Sequence, residues 1–237
     1  MSILSIDLNA DLGEGAGFDH DLIPLVSSVN LCCGLHAGSL AASEAVLQLA
    51  RQQRQSRDLA VGAHPGLPDR RAMGRSSVQL PPDMVGEITR YQVEILARMA
   101  LSHGIQLTHL KPHGALYHLA CSNPEIAGQM VQVACAFQLA VMGLPSSALS
   151  TACEGKVRFI AEGFAERGYL PDGRLIPRGQ PGDLIHDPSE AAAQALRLTR
   201  QGLQTLCIHG DSPRAVAIAS AVREHLQQAG YAIKTQF

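Results

Sequence analysis

The 237-residue chain predicts an α/β fold in which about seven or eight mostly parallel strands close into a variant (β/α) barrel. Three observations carry that expectation. Short apolar runs alternate with amphipathic helical segments along the whole chain, the pattern of βα units laid around a parallel sheet. Six of those runs end in polar, reaction-capable side chains, as strands do when they share one site at the mouth of a barrel. No Ser/Gly linker, composition shift or internal repeat interrupts the alternation, so residues 1–237 read as a single catalytic domain.

Taken in order, strands are expected at 3–8, 28–31, 59–63, 106–110, 139–142, 157–161 and 205–208, with a further one at 231–235. Helices are expected at 40–56, 82–103, 123–137, 189–202 and 212–229. The second helix is the most sharply drawn. Pro81-Pro82 precede it, Met84, Ile88, Tyr91, Ile95 and Met99 fall on one stripe, and Gly104 stands where a C-terminal cap belongs. Segments 64–80 and 168–188 are the long irregular loops, and at the catalytic end of a barrel such loops carry lids and substrate contacts.

Composition narrows the function. Apolar residues make up 46% and charged residues 17%, which fits a packed globular core. A net charge of −2 and only 4% aromatic residues give no footprint for nucleic acid or anionic lipid. No run approaches the ~20 apolar residues of a membrane span, and the N-terminus lacks the basic region of a signal peptide. Six cysteines without a C-x-x-C pair read as reduced thiols of a cytoplasmic protein, with Cys32 and Cys33 as small buried residues.

The polar strand ends carry the chemistry. Side chains alternate along an extended strand, so Asp7, Asn9 and Asp11 share one face while Ile6 and Leu8 take the other. By the same parity His109, Lys111 and His113 share a face, as do Cys207, His209 and Asp211. If the apolar faces meet the helices, the polar rows point into the barrel and toward its mouth. Asp11 and Glu14 flank a glycine-rich turn (Gly13, Gly15, Gly17), where carboxylates serve as acid, base or metal ligand, or satisfy the turn amides. The same turn can present its N–H groups to an anion. His36, His64, His113 and His209 each stand at a strand end beside Gly or Pro. Four histidines in equivalent places, with Asp11 and Asp211, suit either acid–base work near neutral pH or a divalent cation. Lys111 can stabilise an oxyanion or form an ion pair with Asp7, Asp11 or Glu162. Neither G-x-S-x-G nor G-x-x-x-x-G-K-[ST] occurs, which excludes a hydrolase nucleophile elbow and a self-contained P-loop.

Five segments then carry a resemblance: Asp7–Glu14, Cys33-Gly34-Leu35-His36-Ala37-Gly38, Gly62–Pro68, Lys111-Pro112-His113-Gly114-Ala115-Leu116-Tyr117 and Ile208-His209-Gly210-Asp211-Ser212-Pro213. With Glu162–Tyr169 and Asp172-Gly173 they closely resemble the LamB/YcsF family, from the first strand to the last helix. The resemblance implies a barrel related to the glycoside hydrolase/deacetylase barrels. It implies the work of the A subunit of a prokaryotic ATP-dependent 5-oxoprolinase, opening 5-oxo-L-proline to L-glutamate beside partner subunits B and C. The family's polar motif positions fall here on Asn9, Asp11, Glu14, Asn30, His36, His64, Lys111, His113, His209 and Asp211. Leu35 and Cys32 replace the usual Phe and Ala, Asp183 stands where a small residue is usual, and the 189–202 to 205–208 connection is shorter than in most relatives.

The expected roles follow. Asp11, His64, Lys111, His113, His209 and Asp211 form the catalytic set, with Asn9, Glu14, Asn30, His36 and Glu162 binding the lactam. Asp11, His64 and His113 are the candidate metal ligands, and ATP is the co-substrate, handled largely by the partners because no P-loop is present. Two competitors stand beside this reading: a stand-alone metal-dependent amidohydrolase or deacetylase, and a non-catalytic protein that only presents the ligand to its partners.

Overall fold

A computed structural model describes residues 4–76 and 78–237, so Ile3, at the start of the first expected strand, lies outside the described residues. The strands are β1 (Ser5–Leu12), β2 (Ser28–Cys32), β3 (Ala60–His64), β4 (His109–Leu110), β5 (Ala140–Gly143), β6 (Phe159–Phe164) and β7 (Thr205–His209). They pair in parallel and in chain order, and β7 returns to β1, closing a seven-stranded barrel. Register places Asp11 beside Asn30 on one side and beside His209 on the other. The eighth expected strand forms as β8 (Ala232–Ile233), but it pairs only with Ser5–Ile6 and takes no place in the ring.

β1 runs four residues past its expected end. Its apolar face (Ile6, Leu8, Ala10, Leu12) belongs to the main core under the helices, and its polar face is inside the barrel. A strand whose inward residues are Asp, Asn and Asp carries no apolar run to read, although its period of two is intact. At the lower end of the barrel Asp7 accepts hydrogen bonds from Ser27 (2.6 Å), Ser28 (2.7 Å) and Thr205 (2.5 Å). Above it His109 Nε2 donates to Asn30 Oδ1 across 2.9 Å. Gly62 makes room for that imidazole, since a Cβ there would lie 2.2 Å from the His109 ring.

All five expected helices form: α2 (Leu40–Gln53), α3 (Pro82–Ser102), α5 (Pro124–Phe137), α7 (Pro188–Arg200) and α8 (Ala215–Gln228). Ser39, Asn123 and Asp187 cap α2, α5 and α7 by accepting from the first free amides of each. Three short helices were not expected: α1 (Asp19–Leu22), α4 (Gly114–Ser122) and α6 (Ala148–Cys153). α4 begins inside the Lys-Pro-His-Gly motif, and α6 lies in Ser/Pro-rich text where only the reciprocal Ser147/Ser150 capping box marks its start.

The expected stripe of α3 is the wrong one. Val85, Thr89, Gln92, Val93, Leu96 and Ala100 are buried, whereas Met84 and Tyr91 are 48% and 66% exposed. Two apolar stripes run side by side on this helix, and the one with smaller residues packs more closely on its neighbours. Helix C-capping falls on His103, and Gly104 follows it with φ of +69°.

Candidate active site

The mouth of the barrel is built from the carboxyl ends of the strands, the place where parallel α/β barrels gather reactive groups. Lys111, just past β4, is the hub. Its Nζ lies 2.8 Å from Asp11 Oδ1, 2.9 Å from Glu162 Oε1 and 2.9 Å from Cys207 Sγ, all of them buried. Burial alone would lower this amine, but the charges of Asp11 and Glu162 outweigh it and hold its pKa well above the ordinary value. The ion-pair reading of Lys111 is therefore correct, with Asp11 and Glu162 as partners.

Beside it, two histidines are oriented by backbone carbonyls. His64 Nδ1 sits 2.8 Å from Lys111 O, and His113 Nε2 sits 2.8 Å from Met73 O. A carbonyl oxygen only accepts, so each ring places a proton there and the opposite nitrogen turns inward. His64 Nε2 then faces Asp11 Oδ2 at 3.3 Å, and His113 Nδ1 faces Glu14 Oε1 at 3.0 Å. The two inward nitrogens are 3.0 Å apart. His36 stacks on His113 with ring centroids 3.9 Å apart, and its Nε2 is 3.4 Å from Glu14. Burial holds the His36 imidazole down at about 4, so it is neutral at pH 7. Burial alone would raise the Asp11 and Glu14 carboxyls. The charge of His64 and Lys111 at Asp11, and the hydrogen bonds of His113 and His36 at Glu14, outweigh it and keep both well below the carboxylate range.

Local structure fixes these positions. Gln92 of α3 clamps Gly66 through both its N–H and its carbonyl, setting the start of the loop that delivers Met73. Glu14 is set by the glycine-rich turn, where Gly38 packs so tightly that a Cβ would lie 1.9 Å from Gly13 O. The turn amide of Gly13 binds no outside anion; it donates to the Asp19 carboxylate at 3.2 Å.

Asp11, His64, Lys111, His113 and His209 line one cavity of about 760 Å³. Asp211 does not join them: it pairs with Arg75 at 2.6 Å in the turn beyond β7. The five residues expected to bind substrate sit behind the cavity wall. Asn9, Asn30 and Glu162 are entirely buried in the barrel, where Asn30 donates to Asn9 (2.6 Å) and to Asp11 (2.8 Å), while Glu14 and His36 stand behind His113. None of the five is among the residues that line the cavity; they contact the side chains that do.

Sequence reading missed Glu166, which pairs with His209 Nδ1 and also accepts from the His209 amide at 3.2 Å. β6 continues to Phe164, past its expected end at 161, and the parity Glu162, Phe164, Glu166 would have exposed it. Phe164 stacks on His209 with centroids 5.4 Å apart and lies 5.3 Å below Lys111 Nζ. Also missed is Tyr117, whose buried hydroxyl lines the cavity without a partner among the described residues, as Glu162 Oε2 is without one.

A closed (β/α) barrel with histidines, carboxylates and a lysine gathered at its strand ends defines a (β/α)-barrel enzyme. The family 4 carbohydrate esterase from Streptomyces lividans shares that fold, with a TM-score of 0.55 at 10% identity over 98% of this chain and 92% of its own. The chain belongs to the LamB/YcsF family, which it matches over residues 6–236. It is 41% identical over 252 residues to the A subunit of 5-oxoprolinase from Thermus thermophilus, covering 98% of this chain and 99% of that one. The crystal structure of a lactam utilization protein from Thermus thermophilus matches with a TM-score of 0.88 at 40% identity, over 98% and 99% of the two chains.

Proposed function

We propose that this chain is the A subunit of an ATP-dependent 5-oxoprolinase, opening the lactam of 5-oxo-L-proline to L-glutamate with partner subunits B and C in the cytoplasm. The observation that supports it most is the convergence of Asp11, His64, Lys111 and His113 on the floor of one cavity, in a chain similar over its whole length to proteins of that name.

A five-membered lactam is a planar amide with no ring strain to release, so opening it needs activation. Transfer of a phosphoryl group from ATP to the lactam oxygen forms an O–P bond and releases ADP. Water then adds to the ring carbon, and the C–N bond breaks as the nitrogen takes a proton. The acyl phosphate left behind is cleaved by a second water to glutamate and phosphate. No P-loop occurs in this chain, so the phosphoryl transfer is assigned to the partners and the ring opening to this cavity.

Each residue has a task in that sequence. His64 and His113, held by backbone carbonyls and backed by Asp11 and Glu14, take the proton of the attacking water. Lys111 stabilises negative charge developing on oxygen. His209, steadied by Glu166 and Phe164, delivers the proton to the departing nitrogen. Nitrogens of His36, His64 and His113 and an oxygen of Glu14 lie within 4.8 Å of one another, and with the ring lone pairs turned inward that set of ligand atoms fits a divalent cation; Asp11, the other expected ligand, groups instead with Cys207 and His209. A bound cation would act as a Lewis acid on water or on the amide oxygen.

The variants Asp11→Asn and His113→Ala in the reconstituted complex are expected to lower glutamate formation by a factor of about a hundred or more, the usual worth of a general base, with the far-UV circular dichroism of the chain unchanged. Near-normal glutamate formation by either variant overturns the assignment. Glutamate release by the chain alone, without ATP or partners, would support the stand-alone amidohydrolase instead.

A further inference from the structure

The cavity lining carries a set of cationic side chains, and ring opening as described makes no use of their charge. Arg75, Arg167, Arg174, Arg178 and His118 all line the cavity. Arg75 is neutralised by Asp211 and Arg174 by Asp172 at 2.8 Å. Arg167 and Arg178 have no carboxylate at ion-pair distance among the described residues. Arg167 is only 3% exposed. Its Nε donates to Asp183 O (3.0 Å) and its Nη2 to Ile176 O (2.6 Å), which orients the guanidinium and leaves Nη1 free among the described residues. Burial and the charge of Arg178 push the Arg167 guanidinium below its usual range; desolvation and the charges of Arg167 and Arg178 do the same to His118. Like charges are thus held facing each other around an open space, at a cost that a bound anion would offset.

The lactam by itself does not account for this lining. It carries one carboxylate, and the 760 Å³ cavity lies in the range that holds much larger ligands. A planar guanidinium is matched to the tetrahedral oxygens of a phosphoryl group, which can accept from several donors at once. The Tyr117 hydroxyl, which also lines the cavity, adds one more donor.

We propose that Arg167 and Arg178, with His118, form a phosphoryl-binding subsite that holds the phosphoryl group of the activated ligand while its ring lies over Asp11, His64 and His113. This rests on the lactam-opening reading for the ligand's identity. The phosphoryl group has two sources, the activated lactam handed over by the partners or the terminal phosphate of a nucleotide, and the chemistry that recognises it is the same.

Isothermal titration of the full chain with inorganic phosphate, and separately with ATP and with 5-oxoproline, tests it. Wild-type chain is expected to bind phosphate, and Arg178→Ala to weaken that binding about tenfold or more, the worth of one charge-assisted hydrogen bond. Arg200→Ala, on the exposed end of α7 away from the cavity, is the control and should bind as wild type. ATP that displaces phosphate with the same dependence on Arg178 points to the nucleotide as source; phosphate binding that ATP leaves intact points to the phosphorylated lactam. Either supports the subsite. Absence of phosphate and ATP binding, equal phosphate binding by Arg178→Ala and wild type, or an Arg178 dependence confined to the 5-oxoproline carboxylate overturns it. Phosphate binding is read without lactam or partners, so it can fail while the complex still makes glutamate, and hold while the complex makes none.

Discussion

Lys111 keeps Asp11 and Glu162 together inside the barrel, and its removal would leave two enclosed carboxylates without a cation. Lys111→Met is therefore expected to destabilise the chain by about 3–5 kcal/mol, the cost of breaking a buried ion pair, measurable as a lower urea midpoint. A substitution that leaves the midpoint unchanged would mean the charges are solvated. Asp7 offers a pH test. Burial raises its carboxyl from 3.8 to about 6 against the opposing hydrogen bonds of Ser27, Thr205 and Ser28. A raised native pKa means the folded chain binds the proton more tightly, so stability present below pH 3.8 is lost as pH rises toward 6. Between pH 4 and 7, Asp7→Asn should gain on wild type by roughly 2–3 kcal/mol, read from urea unfolding at the two pH values; a constant difference would refute the raised carboxyl. At this scale the reactive strand ends were legible, and the rest of the cavity lining was not. Asp11, His64, Lys111, His113 and His209 reach the cavity because each ends a strand on its inward parity. Glu166 and Arg167 lie in the segment after β6 and were given no role because the strand outran its apolar run. Asp211 was misplaced because the turn after β7 breaks the alternation that parity assumes.

Elements were legible wherever a periodic apolar face met a recognisable cap, as in α2, α5 and α7 with Ser39, Asn123 and Asp187. α4 was hidden because its first turn is also the catalytic motif, and α6 because six residues give too little periodicity. The α3 error has the same physical root as its stability: both of its adjacent stripes are apolar, and only the fit against α5 and β3 selects one. The glycine-rich turn and the Gly34–Gly38 turn meet at a single tight contact, which sets Glu14. Gly38→Ala, at φ of +52° and with its Cβ 1.9 Å from Gly13 O, must push the turns apart. We expect a loss of about 1–3 kcal/mol in stability together with a drop in kcat, because Glu14 backs His113 at 3.0 Å. Unchanged kcat in a folded Gly38→Ala chain would show that Glu14 does not need this position.

For the whole molecule, the alternation of strands and helices was enough to expect a barrel of about seven or eight strands, and seven close it. Closure is a tertiary property: β7 finds β1 across the length of the chain, while β4 contributes only two residues and β8 joins β1 from outside the ring. What closure does for function is to bury Asn9, Asn30, Glu162 and His109 inside the barrel, so that the few groups reaching the mouth are held rigidly and their charges act in a low-dielectric setting. The direct measurement is glutamate release and 5-oxoproline-dependent ATP hydrolysis by the B and C partner subunits, with and without this chain. Glutamate that forms only when the chain is present is the result expected of a ring-opening component. Equal glutamate formation in its absence would contradict that role and move the lactam chemistry to the partners.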